Sequence, residues 1–102
     1  LAAAHVDALE KLIEDPTTSH IMNCGYGRGF SVLEVLDAID RVTNRPIDRR
    51  MEARRAGDPG ALVADNARIL ATLPWRPKRD DLDTIVADAL SWERKLAERQ
   101  QA

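Results

Sequence analysis

The stretch Asn23-Cys-Gly-Tyr-Gly-Arg-Gly-Phe-Ser-Val-Leu-Glu34 predicts the end of a strand, a glycine-spaced loop and the start of a helix. The apolar residues Ile21 and Met22 lead into the loop. Ser31 and Glu34 have the spacing of a capping box, in which each side chain accepts the backbone N–H of the other residue. Apolar residues then recur every three or four positions, which predicts one apolar helix face. That face consists of Val32, Val35, Leu36, Ile39 and Val42.

The glycines of this loop favour one of two interpretations. Glycines before a helix can bind phosphate, because unpaired N–H groups and the helix dipole attract an anion. Gly25, Gly27 and Gly29 follow a G-x-G-x-G spacing, however, which is neither the dinucleotide pattern nor the P-loop pattern. We therefore favour a loop whose glycines serve backbone geometry.

Four helices are predicted from apolar periodicity and from the residues that interrupt it. They cover residues 1–14, 32–43, 66–73 and 82–96. The first presents Val6, Leu9, Leu12 and Ile13 on one face. Asp65 or Asn66 is expected to cap the third helix, and Trp75 is expected to anchor the core after that helix. Asp80 and Asp81 are expected at the start of the fourth helix. The tail from Glu98 is expected to fray.

Short strands are expected between these helices. They lie near Ile21, over residues 47–53 where Ile47, Met51 and Ala53 alternate, and at Leu62–Val63. The predicted fold class is α/β, with about four helices and a few short strands.

Composition limits the classes of partner. The 102 residues suffice for one small domain with a modest core. Charged residues make up 31% and the net charge is −2, which gives no reason to expect a nucleic acid or a membrane as partner. The single cysteine, Cys24, has no internal disulfide partner, which fits a cytoplasmic location. His5 and His20 lack the neighbouring ligands of a metal site.

Four guanidinium groups, those of Arg49, Arg50, Arg54 and Arg55, precede Asp58. Guanidinium forks match phosphate oxygens, and a carboxylate suits the paired hydroxyls of a ribose. The alternative is a solvated basic strand edge with Asp58 in a simple turn, which composition alone favours.

The residues above resemble UDP-glucose 4-epimerases. Asn23 to Val35 is similar to the N-L-G-x-G-x-G-Y-S-V-x-E-V stretch of that family. Three further segments are similar in the same order: Ala3-Ala-His-Val-Asp-Ala-Leu9, Arg54-Arg-Ala-Gly-Asp58, and Ala64-Asp-Asn-Ala-Arg68 running on to Leu73-Pro-Trp75. The last helix, with Trp92, resembles the family's last helix. Cys24, Tyr26 and Pro74 depart from the usual Leu, Thr and Gly, but none of these departures touches the R-x-G-D pattern.

The resemblance implies that residues 1–102 are the C-terminal, substrate-binding domain of an extended short-chain dehydrogenase/reductase. An NAD-binding Rossmann domain would precede Leu1, and we expect the chain to be a part of such an enzyme. By the resemblance the R-x-G-D element, Arg55, Ala56, Gly57 and Asp58, contacts UDP, with Arg55 on the pyrophosphate and Asp58 on the ribose. Similarity to nucleotide-sugar dehydratases places Asn23 near the phosphates.

The function implied is that of an isomerase of galactose metabolism. It interconverts UDP-glucose and UDP-galactose through a 4-keto intermediate that depends on NAD. The chain contains neither the G-x-x-G-x-x-G loop nor the Y-x-x-x-K pair of that family. We therefore assign no catalytic, cofactor-binding or metal-binding residue here and expect the chain alone to be inactive. The intact enzyme is expected to be a homodimer and this chain to self-associate through exposed apolar residues.

Two alternatives stay open at this point. The chain is the corresponding domain of another nucleotide-sugar short-chain enzyme, a dehydratase or decarboxylase, or it is an autonomous small interaction module. R-x-G-D favours the epimerase, and a start inside a helix with no N-cap argues against the module.

Overall fold

The computed structural model describes residues 1–101, which form four α-helices and no β-strand. The helices are α1 (Ala2–Glu14), α2 (Val32–Thr43), α3 (Ala67–Thr72) and α4 (Leu82–Gln101). The chain divides into two compact units, each made of two segments. The first unit contains residues 1–29 and 59–78, and the second contains residues 30–58 and the segment from Arg79. None of the described helices combines the length and the apolar character needed to cross a bilayer.

The core of the first unit combines one residue of α1 with residues of α3 and of the segment that follows it. Ala4 on α1 is buried together with Ile69, Leu73 and Trp75, and three half-buried apolar residues pack against them. Those three are Ala8, Met22 and Leu70. Ala4 and Ala8 are four positions apart and therefore lie on one face of α1. The prediction that Trp75 anchors a core is confirmed.

The large apolar residues of α1 lie outside this core. Val6, Leu9 and Leu12 are exposed, and Ile13 keeps 72% of its surface accessible. The predicted apolar face therefore exists on the helix but is not buried within the described residues. The expectation of exposed apolar surface is confirmed, whereas self-association stays a prediction.

Asp15 ends α1 and organises the turn after it. Its N–H donates to the Lys11 carbonyl at 3.1 Å, and its carboxylate accepts from the Thr17 and Thr18 hydroxyls at 2.6 Å each. The Thr17 N–H donates to the same carboxylate at 3.1 Å. The Thr17 and then the Thr18 hydroxyl stabilise the carboxylate and lower the pKa of Asp15 to about 2.

In the second unit, α2 has the two ends that the sequence predicts. The Ser31 Oγ accepts the Glu34 N–H at 3.1 Å, and Glu34 Oε2 accepts the Ser31 N–H at 2.8 Å. Asn44 ends the helix in the left-handed conformation, with φ at 56°. The predicted capping box and the predicted end of the helix at residue 43 are confirmed, because such signals act over a few neighbouring residues.

α2 and α4 pack against each other and share one ion pair. Arg41 on α2 donates to both Asp83 oxygens, with Nη2–Oδ1 at 2.7 Å and Nε–Oδ2 at 3.2 Å. This pairing raises the pKa of Arg41 and lowers that of Asp83. At the start of α4, Asp81 Oδ2 accepts the Thr84 N–H at 3.1 Å, as expected for an acidic helix start.

α4 differs from its prediction in two respects. It continues to Gln101, beyond the point at which the tail was expected to fray. Trp92, which periodicity places on the apolar face of the helix, is 50% exposed and not buried, and the Arg99 guanidinium lies 5.8 Å from the centre of its ring. Among the apolar residues that recur along α4, Leu82, Ile85 and Val86 in the first turns and Leu96 near its end are half-buried.

The predicted strands at Ile21, Ile47–Ala53 and Leu62–Val63 are not formed within residues 1–101. A strand needs a neighbouring backbone to pair with, and side chains take that role here. The Ile47 N–H donates to Asp40 Oδ1 at 2.7 Å, and the Ile21 carbonyl accepts from Arg68 at 3.0 Å. The described residues are thus helices joined by irregular segments, and they do not establish the α/β class.

Candidate functional site

The R-x-G-D residues form a tight turn in the second unit. The Asp58 N–H reaches the Arg55 carbonyl at 3.4 Å. Gly57 has φ at 86°, a left-handed conformation that glycine adopts without strain. A Cβ built on Gly57 meets no atom within 4 Å. The backbone conformation, and not lack of space, therefore requires glycine here.

The two charged residues of the turn are paired with each other. Arg55 Nε lies 2.9 Å from Asp58 Oδ2, and Nη2 lies 3.4 Å from Oδ1. The Arg55 side chain is 84% exposed and that of Asp58 45%. An ion pair this exposed contributes about 0–1 kcal/mol. A phosphate can therefore replace the carboxylate on the guanidinium at small cost.

Arg54 also belongs to the turn. Its Nη2 donates to the Asp58 carbonyl oxygen at 2.8 Å. Arg54 therefore contacts the turn and does not only face solvent. Nothing in the sequence signals this bond, because it depends on the curvature of the turn.

The other two arginines of the basic run have separate partners. Arg49 bonds Asp37 at 3.2 Å and Asp40 at 2.6 Å, which attaches the segment after α2 to that helix. Arg50 pairs with Glu52 at 3.0 Å. Of the four arginines, only Arg54 and Arg55 therefore bond within the turn that ends at Asp58.

Asn23 lies in the first unit, is exposed, and begins the glycine loop. Each glycine of this loop faces the segment before α3. An added Cβ would lie 2.7 Å from Ala64 Cβ at Gly25, 3.0 Å from Asn66 Oδ1 at Gly27, and 2.9 Å from Val63 Cγ2 at Gly29. Gly27 additionally has φ at 74°. The spacing thus permits close approach of two segments, which supports the geometric interpretation.

The start of α2 gives a second argument against a phosphate site there. The backbone N–H groups of Ser31 and Glu34 are already taken by the capping box. The Glu34 carboxylate also places negative charge at the helix start, where a bound anion would be repelled.

The two histidines lie around a cavity of about 170 Å³ in the first unit. His5, His20 and Cys24 are among its lining residues. His5 Nδ1 lies 2.9 Å from the Leu1 carbonyl, and His20 Nε2 is buried with no hydrogen-bond partner among residues 1–101. Within that range no three His, Cys, Asp or Glu side chains come together as metal ligands.

Known proteins resemble the chain along nearly its whole length. A UDP-glucose 4-epimerase of Azospirillum brasilense is 50% identical over 96 residues, which are 94% of this chain and 27% of the relative. The UDP-Glc/GlcNAc 4-epimerase structure from Campylobacter jejuni superposes with a TM-score of 0.83 at 41% identity, over 91% of this chain and 28% of that one. A Stenotrophomonas maltophila UDP-glucose 4-epimerase, solved with NAD and formylated UDP-arabinopyranose, gives a TM-score of 0.86 at 35% identity over 96% and 29%. No protein-family model matches the chain.

The chain matches the C-terminal region of UDP-glucose 4-epimerases. It spans about 28% of the length of these relatives. The resemblance on which the sequence interpretation depended is therefore confirmed.

The described residues show no counterpart of the NAD site of the Stenotrophomonas maltophila epimerase. The sequence lacks the G-x-x-G-x-x-G loop that the resemblance associates with NAD binding and the Y-x-x-x-K pair that it associates with proton transfer.

Proposed function

We propose that residues 1–102 of this chain form the UDP-sugar-binding C-terminal domain of a UDP-glucose 4-epimerase. The intact enzyme would belong to the α/β class. The intact enzyme would interconvert UDP-glucose and UDP-galactose. The observation that supports this most strongly is the similarity to such epimerases over 94% of the chain. The cytoplasmic location and the homodimer stay predictions of the same proposal.

In this proposal the turn is a two-sided clamp for UDP. Arg55 leaves Asp58 and makes charge-assisted hydrogen bonds to the pyrophosphate. The freed Asp58 carboxylate accepts hydrogen bonds from the ribose hydroxyls. Ala56 and Gly57 contribute backbone, since the left-handed Gly57 turns the chain between the two side chains. A phosphate contact by Asn23, in the loop of the first unit, is a separate prediction that rests on the similarity to nucleotide-sugar dehydratases.

NAD would belong to the remainder of the enzyme, where it would supply the hydride acceptor and donor for C4 of the sugar. The residues of this chain would bind and orient the nucleotide. We accordingly expect the 102-residue chain alone not to convert UDP-glucose. A coupled assay for UDP-galactose, run against a boiled control, checks this.

The decisive experiment is calorimetric titration of UDP into the natural full-length protein and two variants. Arg55→Ala should weaken binding by about ten- to a hundredfold, as expected from losing a charge-assisted bond of about 1.5–3 kcal/mol. Arg50→Ala is the matched control, since Arg50 is an exposed arginine paired with Glu52 outside the turn. Equal effects of the two substitutions would contradict the assignment.

A product measurement separates the epimerase from the other nucleotide-sugar enzymes. The full-length protein, given UDP-glucose and NAD, should form UDP-galactose. A dehydrated or decarboxylated nucleotide sugar in its place would refute the epimerase.

A further inference from the structure

Two side chains of the Ala64–Arg68 segment hold the backbone on either side of Asn23. The Arg68 Nη1 donates to the Ile21 carbonyl at 3.0 Å. The Asn66 Nδ2 donates to the Gly25 carbonyl at 3.2 Å. Both acceptors lie two residues from Asn23, one before it and one after it. The backbone around Asn23 is thus fixed at two points.

The start of α3 leaves the Asn66 side chain available for this role. Asp65 Oδ1 accepts the Ala67 N–H at 3.0 Å, whereas Asn66 occupies the cap position without a side-chain cap bond. The amide of Asn66 instead lies against Gly27, where an added Cβ would come within 3.0 Å of its oxygen. The position of the Asn66 side chain therefore depends on the absence of a Cβ at Gly27 and on the hydrogen bond to the Gly25 carbonyl.

α3 is itself firmly placed in the first unit. Ile69 is 3% exposed and belongs to the core. The Leu70 N–H donates to the Asn66 carbonyl at 3.2 Å, which ties Asn66 to the helix. Arg68, one position before Ile69, lines an open cavity of about 400 Å³ together with Asn23. The two donors thus extend from the start of a helix that Ile69 anchors in the core to the loop that carries Asn23.

We propose that Asn66 and Arg68 are positioning residues that fix Asn23 for contact with the phosphates of a nucleotide sugar. The inference rests on the proposed function, because it takes Asn23 to be a substrate contact. Neither residue belongs to the apolar core. Their removal should therefore loosen the loop without unfolding the unit.

The test is UDP titration by calorimetry in the natural full-length protein, with Arg68→Met and Asn66→Asp as variants. Each should weaken UDP binding about three- to tenfold, the effect expected from losing one hydrogen bond. Arg68→Lys should restore part of the loss, since an ammonium can still donate to one carbonyl. Arg94→Met, on exposed α4, is the matched control and should have no effect. The thermal midpoints of all variants should stay within a few degrees of each other.

A combined variant shows whether the effect passes through Asn23. When Asn23 is already alanine, Arg68→Met should weaken UDP binding less than twofold further, because residues acting through one contact are not additive. An equal loss with and without Asn23 would overturn the inference, as would a silent Asn23→Ala. The Arg55→Ala titration reports separately on the proposed function. If Arg55→Ala weakens UDP binding and Asn23→Ala does not, the positioning role is rejected and the proposed function is not.

Discussion

Arg55 and Asp58 are paired through two hydrogen bonds, from Nε at 2.9 Å and from Nη2 at 3.4 Å. These are the two side chains proposed to bind different parts of UDP. In the proposed complex the nucleotide separates them, and each side chain gains a new partner. A ligand that contains only the pyrophosphate offers a partner to Arg55 and none to Asp58.

Substitution of Asp58 should thus affect two ligands differently. In the full-length protein, Asp58→Asn should weaken UDP binding by about five- to tenfold, since a hydrogen bond to a charged group is lost. Inorganic pyrophosphate should bind as well as before or more tightly, because Arg55 no longer has to leave a carboxylate. Calorimetric titration of both ligands checks this. Parallel weakening of the two would show that Asp58 acts only by shaping the turn.

Arg54 should have a smaller effect than Arg55. Its bond is to the Asp58 carbonyl oxygen and not to the carboxylate, so that Arg54 supports the turn without pairing with the charged group. Arg54→Ala should weaken UDP binding about two- to fivefold, as expected for one hydrogen bond. Arg55→Lys should fall between the wild type and Arg55→Ala, since lysine keeps the charge and loses the two-pronged geometry. If Arg54→Ala proved the more damaging change, the clamp would be wrongly assigned.

The helices could be predicted because their signals are local. The Ser31–Glu34 box and the left-handed Asn44 lie within a few residues of the ends that they define. The strands could not be predicted reliably, since a strand depends on a partner elsewhere. The alternation of Ile47, Met51 and Ala53 was therefore insufficient to predict a strand, because it does not show whether a neighbouring backbone is available for pairing.

The candidate site was predictable to a similar extent. The resemblance identified the R-x-G-D residues, and the structure shows them in one turn. The bonds of Arg68 to Ile21 and of Asn66 to Gly25 join residues more than forty positions apart. Neither periodicity nor capping rules address such contacts. The one available signal was the presence of both donors in a segment similar to the epimerases.

Exposed and buried isoleucines of the first unit should differ sharply in stability. Ile69→Ala should lower the free energy of unfolding by about 2–5 kcal/mol, because it empties part of the core. Ile13→Ala should change it by about 0.5 kcal/mol or less, as exposed substitutions usually do. Urea unfolding of the chain, followed by circular dichroism, measures both. Similar losses would mean that the α1 face is buried in solution, for instance by a second copy.

Asp15 should give the chain an acid-dependent stability. Its pKa is lowered from 3.8 to about 2 in the folded chain. A carboxylate with a lowered folded pKa stabilises the fold above its unfolded pKa, and this contribution is lost as the pH falls towards the folded value. The urea midpoints of the wild type and Asp15→Asn should thus differ most at neutral pH and converge between about pH 4 and 2. A difference that stays constant over this range would show that the threonine bonds are not maintained in solution.

Gly25 allows the geometric interpretation of the glycine loop to be tested directly. A Cβ on Gly25 would lie 2.7 Å from Ala64 Cβ, closer than carbon atoms can pack. Gly25→Ala should therefore lower the free energy of unfolding by about 1–3 kcal/mol, the usual cost of overpacking. Ala64→Gly removes the opposing atom and should recover much of that loss, less about 0.5–1 kcal/mol for the added glycine. The same Ala64→Gly change should not rescue Gly27→Ala, because Gly27 faces Asn66 and has φ at 74°. Urea unfolding of the single and double variants provides the measurement. The opposite outcome would be a Gly25→Ala substitution that leaves stability unchanged but abolishes UDP binding in the full-length protein. That outcome would show that the glycines bind phosphate.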